Sequence, residues 1–250
     1  MSNRRPCRKD FDDPDVRSAA GPPLADLWSE EAYALYGPPR DTPHDVAQWF
    51  NEQRISPVLD IGCGPGPFAR TFEGGWVGLD RSIAQLREAP GRRILGDASS
   101  LPFADASFPG VVALYVLYFF EDPYTVVDEA CRVLVPGGTF AVCAPSRSDC
   151  PELHDVLPAE AFEESFASED IPGLMDRFFV DPHITVWDAP MFDLPDASTV
   201  AGYLYAHYFP LFTTDEARDA AQRIETPLKL TKRGAWAVGR KPGGATNRPR

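Results

Sequence analysis

The chain has 250 residues, of which 44% are hydrophobic and 12% aromatic, which is enough to bury one large core. Its formal net charge of −13 means that the average surface repels phosphate backbones, which argues against DNA or large RNA as a partner. No apolar run approaches membrane-spanning length, and the polar start over residues 1–5 lacks the apolar stretch of a signal peptide. We therefore expect a cytoplasmic protein.

The two ends are poor in hydrophobic residues. Residues 1–22 are predicted to be a disordered segment and residues 241–250 a flexible tail, which leaves 23–240 as one domain. A helix is predicted over Leu24–Tyr36. A second helix is predicted to begin at Thr42, which can cap it, with Pro43 in the first turn.

Strands and helices then alternate along the chain. Strands are predicted at Pro57–Ile61, Trp76–Asp80, Arg93–Gly96, Val111–Val116 and Gly138–Ala144. Helices are predicted at Pro67–Glu73, Ser82–Glu88 and Pro123–Leu134, the last with Asp122 as its cap. Short connections between such elements predict an α/β fold with a doubly wound, mostly parallel sheet, whose ligands bind beyond the carboxyl ends of the strands.

The segment Val58–Gly66, Val-Leu-Asp-Ile-Gly-Cys-Gly-Pro-Gly, lies at such a strand end. It reads as a buried strand that ends at Asp60 and continues into alternating glycines. Glycines allow sharp turns and close backbone approach to a ligand, so the run is typical of a nucleotide-type cofactor site. The following residues can open a helix whose N-terminus faces the ligand.

Two further acids follow predicted strands. Asp80 stands about twenty positions after Asp60, where a ribose-binding carboxylate is expected, and its alternative role is a cap for the helix that follows. Asp97 can accept from an adenine amino group, and its alternative role is that of a turn residue.

With these motifs in order, the chain resembles the class I S-adenosylmethionine-dependent methyltransferases, particularly the small-molecule, type 11-like group. The similarity extends over about Val58–Ser146 and includes Gly78–Ser82, Gly96–Ala98 and the turn at Leu134–Gly138. It implies a Rossmann-like seven-stranded sheet with an antiparallel last strand, a helical lid and S-adenosylmethionine as cofactor. The implied cofactor-binding residues are Asp60, Gly62, Cys63, Gly64, Gly66, Asp80, Arg81, Asp97, Ala98 and Tyr115.

The resemblance extends to the later part of the chain. Leu228–Arg240 resembles the hairpin that supplies the antiparallel last strand, with Arg233-Gly234 as its turn, although an ordinary surface hairpin is the alternative. Lid elements are expected at about 24–54 and 146–212. Within the second, Ala159–Ala167 and a segment near Ala197–Tyr208 are predicted helical, with a strand near Ile184–Trp187. The aromatic residues there can line a substrate pocket or form the core of the lid.

The sequence also departs from the family pattern. The stretch from Gly66 to Asp80 is about one turn short, which predicts a stubby helix. Tyr118 stands where many relatives carry His, so the identity of a catalytic base is open.

Methyl transfer requires few catalytic groups from the protein, because the methyl group on the sulfonium is already activated. It needs an in-line nucleophile in a dry pocket, and a base only where that nucleophile must lose a proton. Of His154, His183 and His207, the best candidate base is His207, in an aromatic-rich helix, with Tyr118 as a positioning group. The alternative for His207 is packing on neighbouring rings.

The five cysteines show no paired spacing, so neither a disulfide framework nor a metal site is expected. Cys63, Cys131 and Cys143 are interpreted as small buried hydrophobic residues. Cys150 precedes a proline in a polar loop, which predicts greater exposure.

Three functions compete at this point. The first is methylation of an O, N or C nucleophile of a small, partly apolar molecule. The second is methylation of protein or RNA, although the negative charge disfavours RNA. The third is a non-methylating protein of the same fold, either a cyclase or a regulatory module. An NAD-dependent oxidoreductase fits less well, because the turn is Gly-x-Gly-x-Gly after Asp60.

Overall fold

The computed structural model describes residues 41–162, 164–208 and 211–243. The predicted helix Leu24–Tyr36, the predicted disordered segment 1–22 and most of the predicted tail lie outside these ranges. The chain divides into two compact units. Among the described residues, the sheet unit comprises 41–146, 165–186 and 234–243, and the second unit comprises 147–162, 164, 187–208 and 211–233.

The fold is built on a seven-stranded sheet. The strands are β1 (Val58–Ile61), β2 (Trp76–Asp80), β3 (Arg92–Leu95), β4 (Phe108–Leu114), β5 (Leu134–Pro145), β6 (Val180–Leu194) and β7 (Leu228–Arg240), in the spatial order β3-β2-β1-β4-β5-β7-β6. The neighbours from β3 to β5 pair in parallel, whereas β7 pairs antiparallel with β5. This arrangement confirms the predicted Rossmann-like α/β fold with an antiparallel last strand.

The α-helices are α1 (Thr42–Glu52), α2 (Ile83–Glu88), α3 (Pro123–Val133), α4 (Ile171–Phe178), α5 (Ala197–His207) and α6 (Thr214–Ala221). Asp122 caps α3 as predicted, because its carboxylate accepts from the Tyr124 N–H at 3.0 Å. The predicted cap of α1 is wrong by one residue. Asp41 is the N-cap and accepts from the His44 N–H at 3.0 Å, while Thr42 is the first helical residue.

The helical segment between β1 and β2 is shorter than the predicted helix Pro67–Glu73. Only one 3-10 turn forms, at Phe68–Arg70. Glycines at positions 74 and 75 follow this stretch, and glycine disfavours continuation of a helix. Two side chains of α1 hold it instead. Asn51 bonds to the Thr71 carbonyl and the Glu73 N–H, and His44 lies 2.9 Å from the Thr71 hydroxyl.

The predicted turn at Arg233-Gly234 is absent. β7 runs through both residues as one strand of 13 residues, and Gly234 pairs with Pro145 of β5. The propensity of Arg-Gly for turns is overridden here by continuous pairing. The last strand is nevertheless antiparallel, as the resemblance implied.

The segment between β5 and β7 contains more structure than predicted. The helix expected at Ala159–Ala167 is a 3-10 turn at Ala159–Phe162, and the strand expected near Ile184–Trp187 is the middle of the much longer β6. The helix near Ala197–Tyr208 is confirmed as α5. Helix α6 was not predicted, although Thr213 and Glu216 form a capping box at its start.

Each unit has its own apolar core. The sheet unit buries the strand residues against α3 and α4, with Leu59, Val111 and Phe140 fully enclosed. The second unit packs α5 and α6 around Tyr203, Leu204 and Leu230. Within the described ranges, no helix is both long and apolar enough to cross a membrane.

Candidate cofactor site

The glycine turn lies at the end of β1 and forms backbone hydrogen bonds with β2. The backbone N–H groups of Gly62 and Cys63 donate to the Leu79 carbonyl at 2.7 and 3.1 Å. Gly62, Gly64 and Gly66 all have positive φ, at 67°, 53° and 79°, a region that disfavours side chains. A Cβ on Gly62 would lie 2.2 Å from the Val116 side chain.

Gly64 differs from the other two glycines, because a side chain at this position would face open space. The nearest atom to a Cβ on Gly64 would be the Gln85 side-chain oxygen at 4.0 Å. The turn is thus packed against protein at Gly62 and open at Gly64. Such an opening is what a ligand lying against the backbone requires.

Asp80 is placed at the carboxyl end of β2 by two backbone hydrogen bonds. Its Oδ2 accepts from the Gly64 N–H and its Oδ1 from the Ser82 N–H, both at 2.8 Å. Ser82 caps α2, so capping does not depend on Asp80 alone. Because each carboxylate oxygen has a second lone pair, the half-buried Asp80 retains acceptor capacity for two hydroxyl groups.

Asp60 is a buried acid with one side-chain donor. Its side chain is 3% exposed, and its Oδ2 accepts from the Trp76 indole N–H at 3.2 Å. Burial raises the pKa of Asp60 to about 7, the Trp76 hydrogen bond opposes this rise, and the nearby Asp80 adds to it. A carboxylate in this situation is stabilised by a cation.

The other predicted cofactor residues at the ends of the first three strands differ in burial, with two buried and two exposed. Cys63 is buried, and burial together with Asp60 and Asp80 raises the pKa of its thiol, so it is neutral. Asp97 is exposed, and its Oδ1 accepts from the Ser99 N–H at 2.8 Å and the Ser99 hydroxyl at 2.7 Å. These bonds lower the pKa of Asp97 and form an Asx turn. Ala98 is buried and Arg81 exposed.

Tyr115 and Tyr118 follow β4. Tyr115 has a φ of 55°, uncommon for a bulky residue, and its hydroxyl donates to the Thr42 hydroxyl at 3.0 Å. Strained backbone of this kind concentrates at functional sites. Tyr118 lies in a 3-10 turn, Leu117–Phe119, with its ring 4.6 Å from that of Phe119.

His207, the predicted base, belongs to the second unit, whereas the residues above belong to the sheet unit. Its ring stacks on Tyr203 at 4.0 Å, and its Nδ1 lies 3.1 Å from the Tyr203 carbonyl. In the neutral ring this bond places the proton on Nδ1 and the lone pair on Nε2. The geometry therefore combines packing with a defined basic atom.

Cys150 corrects an expectation, because it is fully buried rather than exposed. Its sulfur lies 3.4 Å from the Tyr203 hydroxyl and 3.3 Å from Lys232 Nζ, which also donates to Asp149 and to the Tyr203 hydroxyl. Burial alone lowers the pKa of Lys232, but its contacts with Cys150 and Asp149 outweigh burial and raise it. The network stabilises the second unit. The residues of this network lie far apart in the sequence, so no local sequence pattern predicts their contacts.

The residue most clearly missed by sequence reasoning is Trp76. The only signal for it was register, since Trp76 and Gly78 share one face of β2 and Asp60 pairs with Gly78. That signal becomes visible only once the strand pairing is known.

The donor and acceptor set fits S-adenosylmethionine. The open backbone at Gly64 admits a ligand, Asp80 offers acceptors for ribose hydroxyls, and the buried Asp60 favours a cationic neighbour. The strand order and the placement of this site at the strand ends define the class: a Rossmann-like domain of the class I methyltransferase type.

Comparison with known proteins agrees with this class. Residues 59–142 match the family model described as a methyltransferase domain. A malonyl-[acyl-carrier protein] O-methyltransferase of Pseudescherichia vulneris is 31% identical over 118 residues, covering 44% of this chain and 47% of that protein. A demethylmenaquinone methyltransferase of Renibacterium salmoninarum is 36% identical over 93 residues, covering 34% and 39%. The solved [4+2]-cyclase SpnF has a TM-score of 0.61 at 18% identity, covering 98% of this chain and 100% of that one, which shows the shared fold.

The chain spans about half or less of the length of the curated relatives that it matches. Within that span, residues 59–142 are similar to the type 11 methyltransferase domain. S-adenosylmethionine is the cofactor of this family.

Proposed function

We propose that this protein transfers the methyl group of S-adenosylmethionine to an O, N or C nucleophile of a small, partly apolar molecule. The observation that carries the proposal is the anchoring of Asp80. Two backbone N–H groups, from Gly64 and Ser82, fix its carboxylate beside the open glycine turn. A carboxylate held in this way is preorganised to accept two neighbouring hydroxyl groups.

The three glycines and the three acids then have roles in binding. Gly62, Gly64 and Gly66 shape the backbone along the methionine side of the cofactor, and Asp80 accepts from the ribose. Asp97 accepts from the adenine amino group. Asp60 lowers the free energy of the cationic methionine end. When bound, the cofactor supplies a methyl group already activated on a sulfonium, so these residues act by binding and orientation.

The acceptor class rests on two supports. The Pseudescherichia relative is named as a malonyl-[acyl-carrier protein] O-methyltransferase and the Renibacterium relative as a demethylmenaquinone methyltransferase, and the second unit of this chain is rich in buried aromatic side chains. The net charge of −13 argues against a nucleic-acid acceptor. His207, through Nε2, is proposed as the base where the acceptor must lose a proton, and Tyr118 as a positioning group.

A non-methylating role is the second candidate. The similarity in fold to a protein named as a [4+2]-cyclase keeps this alternative open, since one fold hosts both kinds of chemistry. In that case the protein binds the cofactor, but S-adenosylhomocysteine does not accumulate.

The first experiment tests the cofactor site by calorimetry with S-adenosylhomocysteine. Asp80→Ala removes two ribose hydrogen bonds, each contributing about 1.5–3 kcal/mol when charged. We expect the Kd to rise at least about a hundredfold. Asp128→Ala, an exposed acid on α3, is the matched control and should bind like the wild type. Equal affinity of Asp80→Ala and the control would refute the ribose assignment.

The second experiment separates the two functions. Wild type and Asp80→Ala are incubated with methyl-labelled cofactor and a small-molecule cell extract, and both labelled products and S-adenosylhomocysteine are measured. We expect a labelled small molecule only with the wild type. Tight cofactor binding without any S-adenosylhomocysteine above the Asp80→Ala background would favour the non-methylating role.

A further inference from the structure

Position 78 of β2, beside the glycine turn, has room for no side chain and therefore requires glycine. Gly78 of β2 pairs with Asp60 of β1, and the Trp76 indole lies across the position where a Cβ of Gly78 would stand. Such a Cβ would be 2.3 Å from the indole ring and 2.7 Å from the Cys63 sulfur. The glycine therefore lets the indole lie flat along β2.

Because position 78 has no side chain, Trp76 of β2 can form a hydrogen bond with Asp60 of β1. Lying flat, the indole directs its Nε1–H to Asp60 Oδ2 at 3.2 Å. Indole is a donor only, so it stabilises the ionised carboxylate without adding charge. The hydrogen bond at Oδ2 restricts the orientation of the carboxylate, and Oδ1 can accept from a cationic group of a ligand.

Packing alone does not require an indole at this position. Trp76 is half-buried at the first position of β2, where a phenyl ring would also cover the strand. What a phenyl ring lacks is the N–H donor. Among the described residues, the titratable groups facing Asp60 are Asp80 of β2 and Cys63 of the glycine turn. Asp80 repels the Asp60 charge and Cys63 is neutral, so neither supplies the missing stabilisation.

We propose that Trp76 is a positioning residue of the cofactor site, whose indole N–H stabilises the ionised form of the Asp60 carboxylate and orients it toward the cationic methionine end of the cofactor. The inference rests on the proposed function. In this arrangement Gly78 leaves space for the indole ring, and Trp76 donates a hydrogen bond to Asp60.

The test compares wild type, Trp76→Phe and Trp49→Phe. Trp49 is a half-buried tryptophan of α1 in the same unit and serves as the matched control. S-adenosylhomocysteine binding is measured by calorimetry from pH 6 to 8.5, and the Asp60 carboxyl carbon is titrated by NMR, assigned with Asp60→Asn. We expect wild-type affinity to increase as pH rises through about 7, where Asp60 ionises.

Loss of the indole donor should move the Asp60 midpoint and the binding midpoint upward by about one pH unit. The Kd of Trp76→Phe at pH 7 should then rise about five- to tenfold and approach the wild-type value at pH 8.5. Trp49→Phe should follow the wild type throughout. If Trp76→Phe fails to fold, benzothienylalanine at position 76 keeps the two-ring shape and removes only the N–H.

An unchanged Asp60 midpoint would overturn the inference, as would a loss of affinity that is equal at every pH, which is the signature of packing. Absence of S-adenosylhomocysteine binding by the wild type would instead refute the proposed function. The NMR titration of Asp60 would still test the hydrogen bond in that case.

Discussion

The buried acid Asp60 should make this protein less stable as pH rises, and replacing it by an isosteric amide should remove that loss. In the unfolded chain a carboxyl group ionises near 3.8, whereas burial moves the pKa of Asp60 to about 7. Between these values the unfolded state loses its proton first, so the free energy of unfolding falls with rising pH. At about 1.4 kcal/mol per pKa unit, the total cost is about 4 kcal/mol above pH 7.

Asp60→Asn tests this reasoning by urea denaturation at pH 4.5 and pH 8. The amide does not titrate and can still accept from the Trp76 N–H, so the stability difference between variant and wild type should shift toward the variant by about 3 kcal/mol between the two pH values. Any fixed cost of burying the amide cancels in this comparison. Asp128→Asn is the control, with no expected pH-dependent difference. A stability difference for Asp60→Asn that is the same at both pH values would refute the argument.

Two further substitutions test the turn and the base. Gly62→Ala combines a φ of 67° with a steric clash and should destabilise by about 2–5 kcal/mol, whereas Gly137→Ala, with a φ of 78° but nothing within 4 Å of the new Cβ, should cost only about 1–2 kcal/mol. Equal losses in urea denaturation would contradict the role of the clash. His207→Phe keeps a ring on Tyr203 and should lower turnover about 10²- to 10⁴-fold with unchanged S-adenosylhomocysteine affinity. Normal turnover on the identified acceptor would assign His207 to packing.

The first two parallel strands could be predicted because they are short, apolar and followed by turn residues. β2 has the predicted bounds, and Asp122 caps α3 as expected, since both follow from local chemistry. The predictions fail where contacts between residues far apart in the sequence determine the local conformation. At Arg233-Gly234, pairing with β5 prevents the turn that the local sequence favours.

The cofactor site divides in the same way. The glycine turn and Asp80 are recognisable because their spacing along the chain reflects one strand-turn-helix unit. The contribution of Trp76 is not, because it depends on the register between β1 and β2 and on the absence of a side chain at Gly78. Likewise, Cys150 is buried by Tyr203 and Lys232, which are 53 and 82 positions away.

Asp60 links stability to binding. Two carboxylates, Asp60 and Asp80, lie close enough for the charge of one to raise the pKa of the other, and no cationic side chain among the described residues enters the balance at Asp60. A fold selected for stability alone would place an apolar residue at this position. Retaining the acid is understandable if a cationic ligand compensates for its burial, because a ligand that binds only the folded state adds stability in proportion to the logarithm of its concentration over Kd. The stabilisation by S-adenosylhomocysteine should therefore be larger at pH 8 than at pH 6, since Asp60 is mostly ionised only at the higher pH.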